Sequence, residues 1–167
     1  KAGSSATDRS GYLAAWANAQ YGDYWTWEFD NVRLKAPLEK HLARKQEKLM
    51  NAQQRYQQAA SYGVLEFTTK ASYSIAELYA RFSRQIMASP KPRGLSGGQL
   101  AEYEMLLEEQ AIPFEELAIE LHQNHIQRAW EGNFNPWIER SYAAMSEINP
   151  IRFDKSEMRV AYGQGIR

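Results

Sequence analysis

His122 and His125 stand three residues apart, and Glu120 comes just before them. That trio is the raw material of a helix-borne metal site or an acid–base pair. On a helix, however, Glu120 and His122 point about 200° apart, so the three groups do not converge. A metal would need third and fourth ligands from another element. The pair therefore reads as surface or seam histidines. His41 is isolated among basic residues and reads as solvated.

Glu102, Glu104, Glu108, Glu109, Glu115, Glu116 and Glu120 invite a paired-carboxylate reading. Glu102, Glu109 and Glu116 recur every seven residues, opposite the stripe of Leu100, Leu107 and Phe114. That is the pattern of a solvated helix face. Gly94, Gly97 and Gly98 precede a helix, but no strand leads into them and no Lys-Ser/Thr follows, so they read as a linker and not a phosphate loop. No residue is assigned to catalysis, to a metal or to a cofactor.

Composition narrows the classes further. Lys+Arg and Asp+Glu both number 20, so the formal charge is zero. A dedicated nucleic-acid binder would be clearly basic. There is no cysteine, which excludes disulfides, Cys-ligated zinc and thiol nucleophiles. No stretch approaches the ~20 apolar residues of a membrane-spanning helix. The opening Lys1-Ala2-Gly3-Ser4, in place of Met, reads as a processed or excised start. The excess is aromatic, with 5 Trp and 10 Tyr against 6 Phe.

Helical periodicity supplies the elements. Residues 1–33 read as an aromatic-rich lead-in or capping segment. It contains a frayed start, a short helix "YLAAWANAQ" and a turn at Gly22-Asp23 feeding another helix. Leu34, Leu38, Leu42, Leu49, Ala52, Tyr56 and Ala59 then mark one helix face, with Pro37 near its start and Gly63 as its stop. Ile75, Leu78, Tyr79, Phe82 and Ile86 form a second stripe, ended by "SPKPRG". Ser96 and Gln99 have the spacing of a capping box. The stripe that follows is Leu100, Tyr103, Leu107, Phe114, Leu117 and Leu121, with a bend expected at Pro113.

In "WEGNFNPWIERSYAAMSEINP", Asn135 caps a helix whose first residue is Pro136, and Asn149-Pro150 ends it. Trp137, Tyr142, Met145 and Ile148 are its expected inner face. The short links around Gly63 and "EGNFN" make antiparallel neighbours. The only strand candidates, "LEFTT" and "MRVAYG", are weak. The expected fold is all-α: stacked αα-hairpins over residues 34–150, then a C-terminal extension, residues 151–167, leading into further repeats.

These elements resemble a tetratricopeptide-repeat-like domain. Ile75, Ala76 and Tyr79 in "IAELY" resemble the first-helix pattern. Ile138, Tyr142 and Met145 before Pro150 resemble the second, as Phe82 and Pro90 do in the earlier hairpin. "AELYARF", "LLEEQAIPFEELAIE" and "NPWIERSYAAMSEINP" are similar to segments of bacterial cell-envelope proteins of this class with long helices. The resemblance implies a segment of a larger solenoid, periplasmic or envelope-associated, that scaffolds protein–protein contacts with other envelope components. A cytoplasmic location stays open. The rival expectation is a helical ligand-binding, metal-binding or hydrolytic domain using the His/Glu-rich segment around His122.

Two features are candidates for partner binding. One is the aromatic cluster with Tyr12, Trp16, Tyr21, Tyr24, Trp25, Trp27 and Phe29. It either closes the end of the helical stack or anchors a partner. The other is the segregated charge. Arg33, Lys35, Lys40, Arg44, Lys45 and Lys48 are basic, whereas Glu109 and Glu116 lie on an acidic helix. These faces are expected to be solvated or to pair, within the chain or between neighbours in an assembly.

Overall fold

The computed structural model describes residues 8–153, and every regular element there is a helix: α1 (Asp8–Asn31), α2 (Leu38–Ala60), α3 (Leu65–Met87), α4 (Gly97–Trp130), α5 (Pro136–Ile148) and the short α6 (Pro150–Phe153). The chain is therefore all-α among the described residues. α1 packs on α2, α2 on α3, α3 on α4 and α4 on α5. α3 also touches α1 and α5, so it is the central element.

The stops and starts follow local chemistry. Gly63, at φ +71°, turns the chain between α2 and α3, in a left-handed conformation that glycine adopts without steric cost. Pro37 stands at the N-cap of α2 in extended conformation. Ser96 and Gln99 form the reciprocal capping box of α4. The Asn135 side chain accepts from the N–H groups of Trp137 and Ile138, and Pro136 opens α5. Asn135 also donates to the Thr69 hydroxyl at 2.9 Å, tying the start of α5 to α3.

The core is built on α3. Ile75, Leu78, Tyr79, Phe82 and Ile86 are all buried, against Leu49, Ala52 and Tyr56 of α2 and Leu107, Ala111 and Ala118 of α4. Phe29 closes it from α1, edge-on to Phe82 at 5.9 Å.

As the all-α reading expects, the weak strand candidate "LEFTT" is helical: residues 65–69 open α3, with Phe67 buried under α1. "MRVAYG" lies outside the described residues. Several expectations are corrected. No turn occurs at Gly22-Asp23, because α1 is one uninterrupted helix. Gly22 serves close approach instead. A Cβ at this position would lie 2.5 Å from the Tyr56 ring. Pro113 lies inside α4, as the sequence indicates. The inner face of α5 is Ile138, Ser141 and Met145, with Trp137 and Tyr142 half-buried and Ile148 exposed. Leu117 of α4 is also exposed.

Candidate functional site

α1 inverts the usual amphipathic pattern. Its buried residues are small (Ala15, Ala19 and Gly22) until Phe29 near its end. Its outer face carries the large side chains. Leu13, Trp16, Tyr24 and Trp27 are 51%, 49%, 48% and 59% exposed. Tyr12 and Tyr21 are exposed too, although Tyr12 also meets Phe67 edge-on at 5.1 Å. The Tyr24 ring lies 6.1 Å from Tyr21, 5.4 Å from Trp25 and 6.2 Å from Trp27. Contiguous exposed apolar surface of this kind marks interaction sites, whereas single scattered apolar residues do not.

The expected binding residues divide accordingly. Tyr21, Tyr24 and Trp27 are on the open face, and Arg55 lies 5.0 Å above the Tyr21 ring. Trp25 packs on the core, with the Lys48 ammonium 5.1 Å from its ring. Phe29 is fully buried, so it is a core residue and cannot meet a partner. Arg44 is exposed on α2, whereas Glu109 and Glu116 are exposed on α4. Among the described residues no ion pair joins α2 to α4. The ion pairs that link helices run instead from α3 to α1, between Lys70 and Asp23 and between Arg81 and Asp30.

Lys45 is also corrected. It is buried, and its ammonium donates to the carbonyls of Phe29 at 2.6 Å and Val32 at 2.7 Å. These are acceptors at the C-terminal end of α1, where the helix leaves carbonyls unpaired and favours a cation. The ammonium also sits 4.0 Å above the Phe29 ring. Burial lowers the Lys45 pKa to about 8, against the pull of Asp30.

A groove of about 480 Å³ opens between α1, α3 and α5, lined by Asp23, Lys70, Glu77, Arg81 and Trp137 among others. Its charges are already engaged. Asp23 accepts from Lys70 at 2.6 Å and from the Tyr56 hydroxyl at 2.8 Å. Arg81 donates to both carboxylate oxygens of Asp30.

Behind the groove lie His122 and His125, each 1% exposed. Their Nδ1 atoms are 3.1 and 2.9 Å from a single oxygen, Ser141 Oγ. The Ser141 hydroxyl donates to the Trp137 carbonyl at 3.3 Å. Its lone pairs can then accept from a ring N–H. Both Nε2 atoms are buried, and neither has a hydrogen-bond partner at ordinary distance. His122 Nε2 lies 3.6 Å from Glu77 Oε1, and the neighbouring imidazole holds the Glu77 carboxyl below its ordinary pKa. Burial lowers the His125 pKa to about 4, with Arg128 and His122 adding to the effect.

The seam thus fastens α4 to α5. Glu120 is exposed and plays no part in it. No group of His, Asp or Glu among the described residues is arranged to hold a metal. Ser141 is fully buried, so a His–Ser pair that would suit nucleophilic chemistry has no route to a substrate.

Comparison with family models, curated proteins and solved structures returns no match. Among the described residues no helix is long and apolar enough to cross a membrane.

Proposed function

We propose that this chain is a protein-interaction module with no chemistry of its own. In this reading it is a tetratricopeptide-like stack of hairpins within a larger cell-envelope scaffold. The pairing of α1 with α2 and of α3 with α4, with α3 touching both α1 and α5, supports the stacked arrangement.

One observation carries the binding role: α1 keeps its small residues for packing and gives its tryptophans and tyrosines to solvent. A helix that served stability alone would bury them, since each large aromatic side chain can bury ~150–250 Å². Trp and Tyr also dominate binding hot spots because they bring large contact area at little entropic cost. The rival ligand-binding reading is less well supported. His122 and His125 are engaged by Ser141, and in the groove Lys70 pairs with Asp23 while Arg81 pairs with Asp30 outside it.

The test compares the chain with Trp16→Ala/Trp27→Ala as immobilised baits, with bound proteins identified and then titrated in purified form. The expected result is loss of a defined partner at unchanged melting temperature. Equal binding by both baits would remove α1 from the binding surface.

A further inference from the structure

The outer face of α1 carries large apolar residues at mirrored positions about its centre. Arg9, Leu13, Trp16, Gln20, Tyr24, Trp27 and Asn31 are its exposed line. At 100° per residue they fall within an ~80° sector, opposite Ala15, Ala19, Gly22 and Phe29. Gln20 is its midpoint along the helix and around it. Counted outward from Gln20, Trp16 matches Tyr24, Leu13 matches Trp27 and Arg9 matches Asn31.

We infer that this face docks against the same face of a second copy, as an antiparallel α1–α1 pair with its two-fold axis at Gln20. The inference rests on the interaction-module reading above and names the occupant. An isologous interface requires a surface that complements itself under a two-fold rotation. Here the rotation sets Trp16 on Tyr24 and Leu13 on Trp27 of the second copy. Each aromatic or aliphatic group meets another, and the polar amide of Gln20 meets its equivalent.

Charge fits the same arrangement. Arg9 stands at one end of the face and makes no ion pair among the described residues. Glu28 stands at the other end, where among the described residues it accepts from its neighbour Tyr24. The antiparallel pairing brings Arg9 within one helical turn of Glu28 of the second copy, at both ends. A parallel pairing would stack Arg9 on Arg9. Between the ends the exposed residues Ala17 and Gln20 are uncharged, so no like charges oppose the approach there.

The area sets the strength. Four half-exposed large side chains supply ~100 Å² each, or roughly 800 Å² over both copies. That is below the ~1,200 Å² of a standard stable interface. The pair is therefore a weak dimer, with a Kd on the order of 10–100 µM.

Sedimentation velocity of the full chain from ~5 to ~500 µM should show monomer passing to dimer. Trp16→Ala/Trp27→Ala should stay monomeric throughout, with an unchanged helical spectrum. The absence of native cysteine makes register directly readable. Under oxidation Gln20→Cys should cross-link to itself. Arg9→Cys should cross-link to Asn31→Cys when the two are mixed, and neither should cross-link to itself, since like positions lie ~33 Å apart in the pair. A wild-type chain monomeric at ~500 µM overturns the inference. So does self-cross-linking of Arg9→Cys, which would mean parallel pairing, or a dimer that survives loss of both tryptophans. A monomer whose purified partner is still lost with the tryptophans rejects self-association and leaves the interaction-module reading standing. A dimer that no other protein joins upholds self-association and rejects the scaffold.

Discussion

The outer face of α1 and the seam between α3, α4 and α5 are inverses. α1 places Trp16, Tyr24 and Trp27 in solvent, and the seam places His122, His125 and Ser141 out of it. Each arrangement is costly on its own terms. Exposed rings forgo burial worth ~1.5–3 kcal/mol per side chain. A buried hydroxyl or imidazole costs a comparable amount unless it is hydrogen-bonded. The seam recovers part of its cost internally, because one serine oxygen serves two imidazoles, while both Nε2 atoms stay without a hydrogen bond. The α1 face has no such internal recovery, and the binding role proposed for it rests on that exposure. A polar group can therefore be buried and an apolar one exposed, and type alone does not decide which.

The contrast breaks most sharply at Ser141. Ser141→Ala removes the hydroxyl shared by both Nδ1 atoms and leaves two buried ring nitrogens unpaired. The expected loss is about 2–4 kcal/mol, read by chemical denaturation. A loss within ~0.5 kcal/mol, the scale of a surface change, would mean that the histidines find other partners and that the seam is not held by the hydroxyl.

Gly22→Ala tests the packed side of α1. Alanine in a helix interior ordinarily gains up to ~1 kcal/mol over glycine. Here the added Cβ meets Tyr56, which is buried and held by Asp23 and Thr26. The expected net effect is a loss of about 1–3 kcal/mol, as for overpacking. Stabilisation by this change would show that α1 does not approach α2 as closely as described.

Acid should weaken the seam before it touches the α1 face. The His125 pKa is about 4 when folded and 6.5 in its ordinary state, so the unfolded chain binds the extra proton first. Its contribution to stability is complete above pH 6.5 and is lost as pH falls towards 4. Glu77 is also depressed and loses its contribution only below its ordinary value of 4.5, a lower window. Between neutrality and about pH 4.5 the expected loss is roughly 1–3 kcal/mol. His125→Gln should flatten the profile of melting temperature against pH over that range. An equally steep profile in the variant would assign the titration to another group.

The smallest effect belongs to the outer face. Trp16→Ala/Trp27→Ala should change monomer stability by no more than ~0.5 kcal/mol, as surface substitutions do. A loss of several kcal/mol would make the cluster a cap on the helical stack, and the comparison with the seam would collapse.

Periodicity served well where large apolar residues face inward. The α3 stripe of Ile75, Leu78, Tyr79, Phe82 and Ile86 is buried in full. The capping chemistry at Ser96, Asn135 and Gly63 also stands, because a cap depends on a few neighbouring backbone groups and not on the rest of the fold. α1 was misread for the opposite reason. Its packing face is Ala and Gly and its open face is aromatic, so the hydrophobic pattern carries the wrong sign. Glycine at position 22 then looked like a turn.

The inner face of α5 was read correctly at Met145 but without Ile138 and Ser141, the neighbours of the expected Trp137 and Tyr142. Ser141, a polar residue, occupies a core position that the pattern assigned to bulky neighbours.

What the sequence determined alone is the all-helical class, the helices from α2 to α5 in outline and the caps at Ser96, Asn135 and Gly63. Backbone hydrogen bonding, side-chain caps and proline sterics act over three or four residues, and those residues are contiguous in the chain. What only the tertiary structure decided is the meaning of individual side chains. Lys45 reads as one cation in a basic run until the carbonyls of Phe29 and Val32 arrive from α1. His122 and His125 read as seam or surface groups until Ser141 arrives from α5. Gly22 reads as a turn until Tyr56 crosses above it. Each of these roles depends on atoms from a different helix, and burial and hydrogen bonding are properties of that pairing, not of the residue.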